Sequence, residues 1–243
     1  MHRTTGYEPL NVPKPFGPEI WIVDGPHIRF YGMPFSTRMT LVRLPSGRLW
    51  IHSPIRPAPG LFETVEALGP VAHLVAPNAI HYASLPDWQR RFPEARTWVA
   101  PGVRARAASR KLEIGPAEEL ARQADWEDVL HGHLVTGSKV LQEMVFFHAP
   151  SRCLVLTDFI ENFDPAKLPW LMGKLVKLAG ISRPDGRMPP DMRATFDKAA
   201  LRDHVETLLS WQPETAIMAH GEPWRRDASL RLRRAFAGLL DQG

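Results

Sequence analysis

A chain of 243 residues with 44% hydrophobic and 23% charged residues has ordinary globular composition and enough length to bury a full core, which excludes wholesale disorder. Its formal net charge of +4 and sequence pI near 9.5 make a mild basic excess, which could draw anionic substrates or surfaces but does not mark a nucleic-acid binder. The basic clusters "RRFPEAR", "RARAASRK" and "WRRDASLRLRR" lack aromatic interleaving and read as solvated helix faces, so no nucleic-acid partner is expected.

Residues 1–18 read as an N-terminal extension without the apolar core of a secretory signal. The one cysteine, Cys153, lies in an apolar run and reads as a buried, inert thiol, so the expected location is the reducing cytoplasm. "EIWIVDG" is predicted as a strand, and "TLVRLPSGRLWIHSP" as two strands around a Pro-Ser-Gly turn. "GLFETVEALG" has helical spacing and stops on a glycine. Strand "VAHLVAPN", helix "LPDWQRRF" and strand "ARTWVAPG" follow, then a helical patch, "PAEELARQA", and "DVLHGHLVTG".

"EMVFFHAPSRCLVLTD" holds two apolar strands around a type I turn with Pro150 at its second position. "CLVL" shows no polar alternation, so that strand is expected to be covered on both faces. Helices are predicted over 166–180, 198–210 and 227–240, the last within a C-terminal helical segment, 226–243, and a loop over 182–192. "LPWLMGKLVKLAGI" is too short, and too interrupted by Lys174 and Lys177, to span a membrane; it is expected to pack on the core as an amphipathic helix, with a place on a bilayer surface as the lesser alternative. "PETAIMAHGEPW" is a short strand running into His-Gly. The whole reads as a single layered α/β domain over 1–243 with mixed sheets.

Three places share one design, an apolar strand with a metal-ligating side chain at its exit: His81 after "HLVAPNAI", Asp158 after "CLVLT" and His220 after "TAIMA". Imidazole and carboxylate in this combination suit a single divalent Zn, Mn or Fe ion with an open position for water. Each residue alone is more often a hydrogen-bonded structural group. If Pro150 and Ser151 form the hairpin tip, residue 148 faces 153 and residue 143 faces 158. Glu143 then lies beside Asp158 as a further candidate ligand, whereas His148 sits five residues away, about 16 Å along the strand, and points to the opposite face. The "HGH" at 131–133 reads as an edge-strand pair, and no phosphate loop, dinucleotide fingerprint or nucleophile elbow is present.

The order of the hairpin, "LVAPNAIHYASL", "VFFHAPSRCLVLTDFI" and "AIMAHGEP" resembles the metallo-β-lactamase superfamily over roughly residues 19 to 225. That resemblance implies an αββα sandwich of two mixed β-sheets flanked by helices, with a metal site at the sheet edges. Asp158 in "LTDFI" matches the bridging aspartate of the family, and His220 in "AHGEP" its last histidine. The hallmark H-x-H-x-D-H is reduced: Pro77, Ala79, His81 and Tyr82 stand at its liganding positions. His52-Ser53 replaces the usual acidic residue after the hairpin, and no "PGH" precedes "EMVFF". The N-x-x-H form resembles a branch whose domain family has no assigned function.

Two readings stay open. In one, a mononuclear site of His81, Asp158, His220 and Glu143 hydrolyses a small ester, lactone or phosphoester. In the other, these groups satisfy one another without an ion, and the cleft binds a small molecule or a protein partner.

Overall fold

The computed structural model describes residues 6–30, 32–120, 126 and 128–241. Seven strands make the first sheet in chain order: β1 (Lys14–Gly17), β2 (Ile20–Phe30), β3 (Met33–Arg43), β4 (Leu49–His52), β5 (Val71–Ala76), β6 (Arg96–Val99) and β7 (Glu118–Glu119). β1 to β4 pair antiparallel and β4 to β7 parallel. The change follows from the connections: tight turns allow antiparallel neighbours, whereas α1 (Leu61–Glu66), α2 (Leu85–Arg91) and α3 (Val103–Ser109) supply the crossovers parallel pairing needs.

The second sheet has the order β11-β10-β9-β8, built from β8 (Leu130–Val135), β9 (Glu143–His148), β10 (Cys153–Val155) and β11 (Thr215–Ile217). β10 and β11 run parallel, the other pairs antiparallel, so this sheet is mixed as well. Between β10 and β11 lie α4 (Trp170–Leu178), α5 (Pro190–Arg193) and α6 (Lys198–Ser210); α7 (Ala228–Ala235) and α8 (Ala237–Leu240) follow β11.

Strand periodicity explains the layering. On β9, Met144 and Phe146 join the core of the first sheet, with Trp50 and Trp98, whereas Val145 and Phe147 join Leu201, Val205, Leu232 and Phe236 of the C-terminal helices. On β10, Cys153 and Val155 face the first cluster and Leu154 the second. This double burial accounts for the missing polar alternation in "CLVL". Burial pushes the Cys153 thiol up to about 12, so it is inert at neutral pH. The architecture is the expected αββα sandwich of two mixed sheets.

The hairpin register matches the expectation, with Cys153 opposite His148 and Val155 opposite Phe146. Its tip is a 3-10 turn, Ala149–Ser151, closed by Arg152 in the left-handed region at φ 49°. Other elements differ from the sequence reading. β2 runs past the Asp24-Gly25 pair that closes the predicted strand, and β2 and β3 continue through Pro26 and Pro34; a register shift between Gly25 and Ile28 absorbs Pro26. Within "PAEELARQA", Glu118–Glu119 is a strand beside β6, not a helix, because an open sheet edge outweighs local propensity; residues 121–125 lie outside the described residues. The 166–180 helix is split into a 3-10 turn, Pro165–Lys167, and α4, since Pro169 holds Leu168 extended. The 227–240 helix breaks at Phe236, whose φ is −120° and whose ring stacks on Phe159 at 5.5 Å. α5 lies largely within the expected 182–192 loop.

One side chain ties the two halves together. Arg38 on β3 is buried and donates from Nη1 to the carbonyls of Met218 (2.6 Å) and Gly221 (2.8 Å), beyond the end of β11. Its Nη2 stands 2.7 Å from Asp24 Oδ1, an ion pair without an aligned hydrogen bond, and Lys14 Nζ approaches the other Asp24 oxygen at 2.6 Å. Removing one member of a buried pair costs more than the pair itself contributes. Arg38→Met is therefore expected to lower unfolding stability by about 3 kcal/mol or more. A urea midpoint unchanged from the parent would show that the clamp is not needed.

Candidate metal centre

His81 is positioned by Asn78, two residues beyond β5. Asn78 is fully buried, and its Oδ1 accepts from the amides of Ile80 (2.8 Å) and His81 (2.9 Å), closing an Asx turn that aims the imidazole inward. His81 Nδ1 meets Ser53 Oγ at 2.6 Å, and Ser53 is held in the left-handed region at φ 55° just past β4. The His81 side chain is 10% exposed and lines the same cavity as Asp158 and His220.

Asp158 follows β10 on a loop held by Glu143. Glu143 Oε1 accepts from the Thr157 amide (2.7 Å), and Oε2 from the amides of Asp158 (2.8 Å) and Phe159 (3.2 Å). Asn78 Nδ2 donates to Asp158 Oδ2 (2.7 Å) and Thr157 Oγ1 (2.8 Å), with Glu143 Oε2 at 3.2 Å. One buried amide thus links the exits of β5 and β10 to the start of β9. Burial, reinforced by the charge of Asp158, raises the Glu143 carboxyl above its ordinary value. Burial also pushes Asp158 upward, but the charges and hydrogen bonds of His81 and His220 outweigh it and hold this carboxyl well below the usual range.

His220 follows β11. Its Nδ1 donates to the Ser36 carbonyl at 2.6 Å, which leaves Nε2 to face Asp158 Oδ1 at 3.1 Å. Gly221, next in chain, has φ 97°, and a Cβ there would meet the Asn162 carbonyl oxygen at 2.0 Å, so only glycine permits this turn. The Ser36 hydroxyl accepts from the Gly221 amide at 3.1 Å.

His81 Nε2 lies 3.3 Å from Asp158 Oδ2, and the two imidazole centroids are 5.2 Å apart. One ligand atom from each of His81, Asp158 and His220 lies within 4.8 Å of the others. Tetrahedral zinc with bonds of about 2.0–2.1 Å has ligand–ligand edges of roughly 3.3 Å, close to the nitrogen–oxygen separations here. The His220 tautomer is set by a backbone carbonyl, the arrangement that frees Nε2 for a cation. The donor set therefore fits one divalent ion.

The three groups border a cavity of about 380 Å³ whose wall is largely apolar, with Ile28, Met33, Phe35, Ile55 and Ile80 among its residues. Glu161 also lines it; burial pushes its carboxyl up to about 8 against the opposing pull of His220, with smaller upward contributions from Asp158 and Asp191.

Of the residues singled out in the sequence, His81, Asp158 and His220 come together, and Glu143 sits behind them with its oxygens engaged by amides. His148 lies at the far end of β9 and meets Ser151 Oγ at 2.7 Å. His133 pairs with His204 at 2.8 Å, and His131 is exposed on the same edge strand. Asn78, Ser53, Ser36, Arg38 and Glu161 were not assigned roles by sequence. Only Asn78 carried a local signal, an Asx residue two positions before the amide it binds.

The architecture is that of the metallo-β-lactamase fold. A metallo-β-lactamase from Pontibacter korlensis is similar at TM-score 0.63 and 12% identity, covering 95% of this chain and 99% of the other. One from Hirschia baltica gives 0.61 and 14%, covering 92% and 96%. FIM-1 from Pseudomonas aeruginosa, solved in a mono-zinc form, gives 0.62 and 13%, covering 94% and 96%. No curated protein matches the chain. The chain belongs to the family described as Domain of unknown function (DUF4336), whose sequence model matches residues 18–179.

His52, stacked on Trp50 at 5.4 Å, has its imidazole pushed down to about 3 by burial, with the nearby His81 charge adding to the effect. A base depressed from 6.5 to about 3 contributes stability that is present above pH 6.5 and lost as pH falls through that window. His52→Leu is expected to flatten the fall in stability between those limits, by up to about 1.4 kcal/mol per pH unit. A variant whose acid-unfolding slope matches the parent's would assign the loss to other groups.

Proposed function

We propose that this protein is a metal-dependent hydrolase that uses one divalent ion, Zn, Mn or Fe, held by His81, Asp158 and His220, and acts on a small ester, lactone or phosphoester. One observation carries this reading: three ligand atoms from distant strand ends lie within 4.8 Å, while Nδ1 of each imidazole is already engaged elsewhere. The mono-zinc form of the Pseudomonas aeruginosa neighbour lends it support, being a one-ion site on the same fold.

An ion bound there would polarise a carbonyl or phosphoryl oxygen and lower the pKa of an attacking water. The chain's own residues do the rest. Asn78 fixes Asp158 Oδ2, and Glu143 holds the Asp158 loop from behind, supporting the ligand set through its amides. Glu161 lines the same cavity, and burial raises its carboxyl to about 8, which suits it to protonating a leaving oxygen. The apolar cavity wall excludes water around a small substrate.

The second reading, a non-catalytic scaffold that binds a small molecule or a protein partner, draws on a specific observation too. Asp158 already pairs with both histidines, at 3.1 and 3.3 Å, so the cluster is satisfied without an ion. Metal analysis of protein purified without affinity tag or chelator separates the two. The hydrolase reading expects about one equivalent of Zn, Mn or Fe, falling to background in His220→Ala. Background metal in both proteins would leave only the scaffold.

A further inference from the structure

α4 is amphipathic in the wrong sense for a helix on a soluble surface. Its inward positions are Gly173 and Val176, while Trp170 is 73%, Leu171 59%, Leu175 49% and Leu178 87% exposed. Lys174 and Lys177 share this outward face, the helix contains no acidic residue, and among the described residues neither lysine has an ion-pair partner. The Lys174 ammonium lies over the Trp170 ring, 4.1 Å from its centroid. Large apolar side chains gathered on one exposed face mark an interaction surface.

We propose that this face docks on an anionic lipid surface. An apolar protein groove deep enough to cover the three leucines would also have to bury two ammonium groups that have no ion-pair partner among the described residues. A second copy of the chain, joined about a two-fold axis, would bring the same lysines against their own equivalents. A bilayer interface meets both demands at once. The leucines and the indole enter the headgroup–acyl boundary while the lysine stems extend back to phosphate or carboxylate headgroups.

The position of α4 gives the docking a use. Val176 packs beneath it with Leu168, Phe163, Ile181 and Phe35, and two of these, Phe35 and Ile181, also line the cavity beside His220. A single apolar layer therefore joins the lipid-facing helix to the cavity wall. The docking itself does not depend on the hydrolytic reading and is measured without a substrate.

Flotation of the full chain with vesicles of equal parts phosphatidylserine and phosphatidylcholine tests it. The protein is expected to float with these vesicles and not with pure phosphatidylcholine. Leu171→Ser with Leu178→Ser, both at exposed positions, should abolish flotation while leaving the thermal unfolding midpoint unchanged. Lys174→Glu with Lys177→Glu should weaken it at least about tenfold, as should raised salt. Failure of the parent to float, or flotation indifferent to both double variants, would overturn the proposal. So would a parent dimer in light scattering that the leucine variant dissociates, because the face would then cover a second copy.

Discussion

A buried carboxylate must be satisfied or neutralised, and Glu143 is satisfied by backbone: the amides of Thr157, Asp158 and Phe159 converge on its two oxygens. That interaction gives Asp158 its place, since the loop after β10 has no regular ladder to follow. Asn78 completes the junction by donating to the Asp158 carboxylate and accepting from the amide of His81. Two of the three candidate ligands are thus fixed by a pair of uncharged or backbone-engaged groups behind them. The third, His220, is fixed by an independent device, the Ser36 carbonyl and the Arg38 clamp on the loop after β11.

The concentration of buried polar groups here is costly. Asn78, Glu143, Asp158 and Glu161 are all nearly inaccessible, and an apolar repacking of the same volume would stabilise the fold more readily. Carboxylates pushed in opposite directions, Asp158 down and Glu161 up, within one cavity wall are the pattern expected where one group must stay ionised and another must keep its proton. The remainder of the sandwich shows the opposite economy, with Trp50, Trp88 and Trp98 filling the interior at almost no exposure.

Which parts of this could be read from sequence follows from the range of the interactions involved. His81, Asp158 and His220 were legible because each sits at the end of an apolar strand, a local signal. The β9–β10 register was legible because Pro150 and Ser151 mark the hairpin tip. The path of β2 and β3 through Pro26 and Pro34 was not, because it rests on a register shift that only the partner strand defines. Nor was the strand at Glu118–Glu119, which exists by pairing with β6. Arg38 and Ser36 reach partners more than 180 positions away, and no window on the sequence contains both ends. For α4, periodicity established that one face is apolar but not that this face looks outward.

The separation of the site's parts along the chain sets an order on folding. His81 and Asp158 are 77 positions apart, and His220 reaches back 184 positions to Ser36. Such contacts form late, since the entropy of closing long loops must be met before they give any return. A polypeptide still emerging from the ribosome can pair β2 with β3 and β9 with β10, yet it lacks the third candidate ligand until β11 docks. The candidate centre is therefore assembled only once β11 has docked, and a chain cut short before residue 220 would carry most of the sandwich without the third member of the cluster.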